Sequence, residues 1–451
     1  MLSEKTSLII LILLALALWM PTINYTETDD TVVYGELAES FASGEGYATG
    51  GVPHAHHLPL FPMIAAPLVL LFTPMFALRI TALILGIFSL IVWFYLGKEI
   101  FPDKNRAYFV LLFLSPMLLL YTLFRGLAES PMILFSLLSV LFILRADASK
   151  KHYYYLAGIC FGLAALSRYM GLALGVVYIL WFFVERKKYN KHFIASMFIG
   201  FFIFSLLLIE NFLVFGNPLQ FISTFGEVTS ASFPIFFKVP LYFSIFIPAL
   251  LVMAGILFIP FFLKGIERDK SLFILLIVFG LIFASLGNLR FRYVVPLIPF
   301  VLVIAYNGYL KTKDKWKHLL LLGILLNLLI TPFFVSGQFK DLSDNIYTLP
   351  TQWGQAGLRG EEVNNWINQN VPEQTNIVAR HSPVWQDYFR DDIKMITFGE
   401  ETPEEFYVIY DYTSSQLKQE LPNGIYEEVF STSHPKTVIY KVSQQLTIID
   451  E

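Results

Sequence analysis

The sequence contains a single cysteine, Cys160, among 451 residues, which excludes an intramolecular disulfide and any cysteine-based metal site. Charge is also scarce: Asp, Glu, Lys and Arg make up 15% of the chain and leave a net charge of −3. The basic residues fall in small clusters between apolar runs, so no basic face for nucleic acid is formed. There is no HExxH sequence. The glycine-rich stretch GEGYATGG, 44–51, has no strand before it and no Lys-Ser or Lys-Thr pair after it, so it is not a phosphate loop. Internal repeats and low-complexity tracts are absent as well.

What the chain has instead is hydrophobic sequence, at 56% of residues and a mean hydropathy of +0.60, beyond the range of soluble domains. It is predicted to be a polytopic membrane protein whose first partner is the lipid bilayer. A crossing needs about 20 apolar residues, and about eleven runs qualify: 8–23, 75–97, 107–124, 130–146, 153–168, 170–185, 193–214, 240–263, 270–287, 293–310 and 318–336. The first lacks a clear small-residue cleavage site and reads as a retained signal anchor. The run 58–72 is short and carries Pro59, Pro62 and Pro67, so it reads as a re-entrant or interfacial hairpin.

Basic residues fix the orientation. Lys98, Lys104 and Arg106; Arg145, Lys150 and Lys151; Arg186 to Lys191; Lys264 and Arg268; and Lys311 to Lys317 all fall on one side, which is therefore cytoplasmic. The expectation is a multi-pass plasma-membrane protein with a cytoplasmic N-terminus. Residues 1–336 form the membrane domain, with a first outer loop at 24–74. Residues 337–451 are polar and mixed, with short β-rich runs at 376–379, 406–410 and 437–442, and read as a small extracytoplasmic α/β domain.

Ionisable residues beside membrane spans are costly, and here they gather at one face: Asp29, Asp30, Glu36, Arg125, Glu129, Arg168, Arg290 and Arg292. The plain alternative for any one of them is a snorkelling side chain or a helix cap. After Asp29 and Asp30, Val33, Leu37 and Phe41 recur every four residues, as in an amphipathic interfacial helix that Gly44 ends. Asp30 is either its cap or a carboxylate base for an acceptor hydroxyl. Glu129 either pairs with Arg125 one turn earlier or serves as a second acid or metal ligand. His54, His56 and His57 are candidate imidazole ligands for a divalent ion (Mg, Mn or Zn), with Asp30, Glu129 and His56 as one possible set. Arg290 and Arg292 have the paired geometry that suits a lipid phosphate. An enzyme active away from the cytoplasm lacks ready access to nucleotide-activated substrates, so a lipid-borne donor fits better.

Four separated stretches then carry a resemblance. The spacing Asp30, Tyr34, Ala38, Gly44, Gly46 and Tyr47 is similar to an acid-led D-x-x-x-Y…A…G-x-G-Y loop. HHLPLFPMIAAPL resembles a K-P-P-L-Y-P segment, with His57 and Leu58 where lysine and the first proline are common. FRGLAESPMILF places Glu129 at an acid that precedes a span. NLRFRYVVPLIPFVLVIAY resembles an R-Y-x-x-P-x-x-P opening and assigns Arg292 and Tyr293. A fifth stretch, ALSRYMGLALG, matches L-T-R-P-x-G more loosely through Arg168.

Together these resemble the GT-C integral-membrane glycosyltransferases, in particular protein O-mannosyltransferases and lipid A aminoarabinose transferases. The resemblance implies an all-α, GT-C-like membrane domain and inverting transfer of a sugar from a polyprenyl- or dolichyl-phosphate donor to a hydroxyl of a protein, lipid or glycan acceptor. It implies catalysis by Asp30 with Glu129, and donor-phosphate binding by Arg292, Tyr293, Arg168, Arg290 and His57. Two readings compete. One is a transporter or flippase of a lipid-linked substrate, which would be expected to show inverted repeats and midplane charges. The other is a scaffold that presents the C-terminal domain.

Overall fold

The computed structural model describes residues 4–20, 29–102, 107–113, 123, 126–147, 149–184, 191–220, 259–267, 298–313, 318–320 and 322–326. Toward the C-terminus it describes 366–367, 369–372, 375–379, 394–397, 405–410, 424–431 and 438–444. The chain divides into two compact units. One comprises Met1–Ile23 with Tyr34–Val335, and the other Asn24–Val33 with Ser336–Glu451.

Helices dominate the first unit because its apolar runs can satisfy their backbone groups internally, as a lipid environment demands. They are α1 (Glu4–Trp19), α2 (Asp29–Ser43), α3 (Leu60–Val69), α4 (Pro74–Ile100), α5 (Ala107–Leu112), α6 (Glu129–Arg145), α7 (His152–Ser167), α8 (Ala173–Val184), α9 (Lys191–Phe215), α10 (Ile259–Ile266) and α11 (Ile298–Lys311). By length and composition, α4 and α9 are long and apolar enough to cross a membrane. The predicted run 270–287 and most of 240–263 and 318–336 lie outside the described residues. Helix α4 starts at Pro74 after Thr73 and carries Lys98 in its last turn, where proline's missing N–H and a basic charge are each favourable.

Helix α2 departs from the amphipathic expectation. Tyr34, Leu37 and Ala38 are buried, whereas Phe41 is 40% exposed. The residues at i, i+3 and i+4 form the contact face, so the four-residue spacing of Val33, Leu37 and Phe41 drifts off it. Gly44 ends the helix at φ +82°, a conformation in which a side chain is strained. The glycine-rich stretch that follows is a hairpin of β1 (Ala48–Thr49) and β2 (Val52–Pro53). Gly50 and Gly51 turn it with φ of +55° and +78°, as a type I′ turn requires. The proline-punctuated run is one ten-residue helix, α3, with Phe61, Pro62, Ala65 and Ala66 buried.

Small residues bring the helices together. Gly158 of α7 lies against the Ser196 backbone of α9, and Gly162 against Ile203 and Gly200. Gly308 of α11 meets the Phe261 carbonyl of α10, and Gly265 of α10 meets that of Ile304. Phe161, Tyr178 and Phe193 sit in a core shared by α6, α7, α8 and α9. Inside it Tyr178 Oη donates to Ser139 Oγ at 2.5 Å, and Ser139 Oγ donates to the Ala157 carbonyl at 2.7 Å. Trp93 stacks on Phe109 at 4.3 Å and donates its indole N–H to the Phe109 carbonyl.

In the second unit a five-stranded sheet has the order β4-β3-β5-β7-β6, built from β3 (Asn376–Ala379), β4 (Lys394–Thr397), β5 (Glu405–Tyr410), β6 (Gly424–Ser431) and β7 (Val438–Gln444). Strand β3 is parallel to β4 and β5, while β7 is antiparallel to β5 and β6. Strands β4 and β6 were not anticipated, because KMIT and GIYEEVFS carry little alternation of apolar and polar residues.

A side chain at Gly158 would collide with the Ser196 carbonyl, so Gly158→Leu should cost about 1–3 kcal/mol through overpacking. A thermal melt of the detergent-solubilised protein checks this. An unchanged Tm would show that α7 and α9 do not meet there.

Candidate functional site

Two consecutive helices carry the central pair of the site. Glu129 is the first residue of α6, where a carboxylate suits the helix dipole. Arg168 follows the last residue of α7 in an extended conformation, φ −153° and ψ 141°, which takes its side chain off the helix. Because α6 and α7 form a hairpin, these two ends meet. Arg168 Nη2 donates to Glu129 Oε1 at 2.7 Å, with side chains 14% and 2% exposed. Glu129 is therefore partnered by Arg168, 39 residues on, while Arg125 lies outside the described residues. Among the described residues, the buried Glu129 Oε2 has no hydrogen-bond partner, so the carboxylate keeps one oxygen for a further donor.

Next to this pair the segment 54–58 is clamped from two sides. Tyr169, adjacent to Arg168, donates its phenol to the His56 carbonyl at 3.0 Å. Tyr47 donates to the His57 carbonyl at 3.2 Å. Leu58 is buried against Ala165, Phe204 and Leu207. The His57 ring stands edge-on to Tyr34 at 4.9 Å, and Tyr34 to Phe61 at 5.6 Å. Thus α2, the hairpin, the histidine segment, the end of α7 and α9 converge on one place.

The histidines mostly serve one another. The His57 backbone N–H donates to His54 Nε2 at 3.2 Å, which requires that nitrogen to be an acceptor. His57 Nδ1 lies 2.8 Å from the same nitrogen, so it carries the hydrogen between them. Burial, then His57, then His56, depresses the His54 pKa to about 3, so this ring is neutral. Both phenols are held above their ordinary range. For Tyr47 the cause is burial, followed by Tyr34, Tyr169 and Glu210. For Tyr169 it is burial, then Tyr34, with Arg168 acting in the opposite sense. Both are therefore proton donors, as their hydrogen bonds need.

Asp30 stands in the first turn of α2 and is partly buried. The side chain of Asp29, and Arg290, Arg292 and Tyr293, lie outside the described residues. For the expected metal set Asp30, Glu129 and His56, no group of three or more His, Cys, Asp or Glu side chains that could hold an ion is found among the described residues. One Glu129 oxygen is taken by Arg168, and His56 packs edge-on against His57 at 4.9 Å. Sequence reasoning missed Tyr169 and the pair Glu210–Asn211 on α9. An acid and an amide inside LLLIENFLVF were the available signal.

Residues 56–209 match the family described as dolichyl-phosphate-mannose-protein mannosyltransferase. GPI mannosyltransferase 3 of Candida albicans is 30% identical over 155 residues, 34% of this chain. The matched segment spans 27% of that relative's length. Among solved structures, ArnT from Cupriavidus metallidurans superposes with a TM-score of 0.65 in the apo state and 0.62 bound to undecaprenyl phosphate. Each shows 13% identity and covers 96% of this chain and 97% of the other. The oligosaccharyltransferase of Archaeoglobus fulgidus, tethered with an acceptor peptide, gives a TM-score of 0.56 at 13% identity, over 98% of this chain and 74% of the other. The chain has the GT-C glycosyltransferase fold. The same archaeal enzyme, in complex with Zn and sulfate, superposes at 0.53.

Two outcomes follow from this geometry. Glu129→Ala leaves Arg168 charged in a largely buried place and should cost about 3–5 kcal/mol, whereas the double replacement Glu129→Leu with Arg168→Leu should recover most of it. Thermal melts of the three proteins check the cycle. The second concerns pH. The folded His54 pKa of about 3 is below the unfolded value of roughly 6.5, so the unfolded chain binds the extra proton between those limits. Stability from this residue is full above about 6.5 and declines as pH falls toward 3. The wild type should lose Tm more steeply than His54→Gln between pH 6.5 and 4.

Proposed function

We propose that the protein is a glycosyltransferase that moves a sugar from a polyprenyl- or dolichyl-phosphate carrier to an acceptor hydroxyl at the extracytoplasmic membrane surface, with inversion at the anomeric carbon. The observation that carries this reading is positional. The stretch matched to the dolichyl-phosphate-mannose-protein mannosyltransferases, 56–209, supplies His56, His57, Glu129, Arg168 and Tyr169. The neighbour of similar fold that holds undecaprenyl phosphate and the archaeal one in complex with dolichol-phosphate support the donor class. The proteins named above as transferases lend the flippase reading nothing.

In the proposed reaction the acceptor oxygen attacks the anomeric carbon while the bond from that carbon to the phosphate oxygen breaks. Asp30 takes the hydroxyl proton, and the polyprenyl phosphate leaves as the anion. Arg168 stabilises the charge that develops on the phosphate. Glu129 is a positioning residue for Arg168, since a guanidinium fixed before the reaction costs no reorganisation during it. Arg292, Arg290 and Tyr293 are assigned to the same phosphate. His57 is assigned to the same phosphate, at the position where a lysine would supply charge. The domain 337–451 is assigned to the extracytoplasmic side.

Asp30→Asn should lower transfer by about 10²–10⁴-fold, the size of a general-base contribution, with donor-lipid binding unchanged. Single-turnover transfer from a radiolabelled lipid-phosphate sugar measures it. A folded Asp30→Asn protein with full activity would remove Asp30 from the mechanism.

A further inference from the structure

Helix α9 is apolar for most of its 25 residues, KHFIASMFIGFFIFSLLLIENFLVF, yet it carries Glu210 and Asn211 next to each other near its C-terminal end. Asn211 is 3% exposed, and among the described residues its Nδ2 has no hydrogen-bond partner. An unmade hydrogen bond at a buried amide costs about 1–3 kcal/mol, so the side chain needs a reason to be there. Glu210, on the neighbouring face, is exposed. Its charge is one of the influences, after burial, Tyr34 and Tyr169, that hold the Tyr47 phenol above its ordinary range.

Packing places the pair in the fold. Helices α7 and α9 run parallel, with Gly158 at Ser196, Gly162 at Gly200, and Ala165 beside Phe204 and Leu207. The same offset of some 38–39 residues sets Asn211 level with the turn Tyr169–Leu172, about one helical turn beyond Arg168. An amide donor and the carboxylate next to it in sequence then stand about one helical turn past the end of α7 that carries Arg168. A carboxylate accepts from two neighbouring hydroxyls, an amide N–H₂ donates to a third oxygen, and an aromatic ring packs on an apolar sugar face. A sugar bonded directly to the phosphate would lie within this reach.

We propose that Glu210 and Asn211 bind hydroxyl groups of the donor sugar and set which sugar the site accepts. The inference rests on the lipid-phosphate donor proposed above. They are specificity residues; the proton transfer stays with Asp30.

The test measures the binding of undecaprenyl phosphate, and of undecaprenyl-phosphate mannose, glucose and galactose, to the full chain in nanodiscs. The wild type, Glu210→Gln, Glu210→Asp and Asn211→Leu proteins are compared. The wild type should bind one sugar-bearing lipid more tightly than the bare phosphate. Glu210→Gln and Asn211→Leu should weaken that lipid at least about tenfold, the size of a hydrogen bond to the sugar left unmade. Their affinity for bare undecaprenyl phosphate should stay within about twofold, and Glu210→Asp should restore part of the preference. Unchanged sugar discrimination in both variants, or equal weakening of bare and sugar-bearing lipids, would overturn the inference and leave the donor class standing. A wild type that binds none of the four lipids would overturn both together.

Discussion

The Glu129–Arg168 pair is the contact on which the rest of this site depends. A carboxylate 2% exposed would be prohibitive alone, and removing its partner leaves a buried charge. The pair therefore locks the beginning of α6 to the end of α7. Both partners also sit at the helix ends that favour them, acid at the N-terminus and base at the C-terminus. Arg168 is thereby held in place, and Tyr169 beside it reaches the His56 carbonyl. One ion pair thus links helix packing to the placement of a loop contributed from 113 residues earlier.

The surrounding packing makes that placement rigid. Gly158 and Gly162 let α7 and α9 approach to backbone contact, which brings Phe204 and Leu207 under Leu58. Tyr47 and Tyr169 supply phenol donors and Tyr34 a ring edge around the histidine segment, and the His54–His57 contact orients both rings. Functional groups held on helix ends and a clamped loop keep their geometry without depending on surface mobility.

Much of this was legible in the sequence because it follows from short-range rules. Asp29 to Gly44 read as a helix with a glycine stop, and GEGYATGG read as something other than a phosphate loop, since positive-φ glycines and helical spacing are local signals. Glu129 and Arg168 were recognisable as costly residues at one face, but their pairing was not. The nearer Arg125 offered a plausible partner, and only the α6–α7 hairpin brings residue 168 to residue 129. The contact face of α2 was misjudged because a four-residue period drifts around a helix of 3.6 residues per turn. Tyr169 and Glu210 escaped because their meaning depends on which helices pack side by side.

The proposed reaction breaks the bond between a sugar and a lipid phosphate. It is tested most directly by supplying the purified full chain in proteoliposomes with radiolabelled polyprenyl-phosphate sugars and a membrane extract as the source of acceptor. The products are then separated. Release of free polyprenyl phosphate together with label in the acceptor fraction is the expected result. Intact lipid-linked sugar that crosses the bilayer without release of polyprenyl phosphate would contradict it.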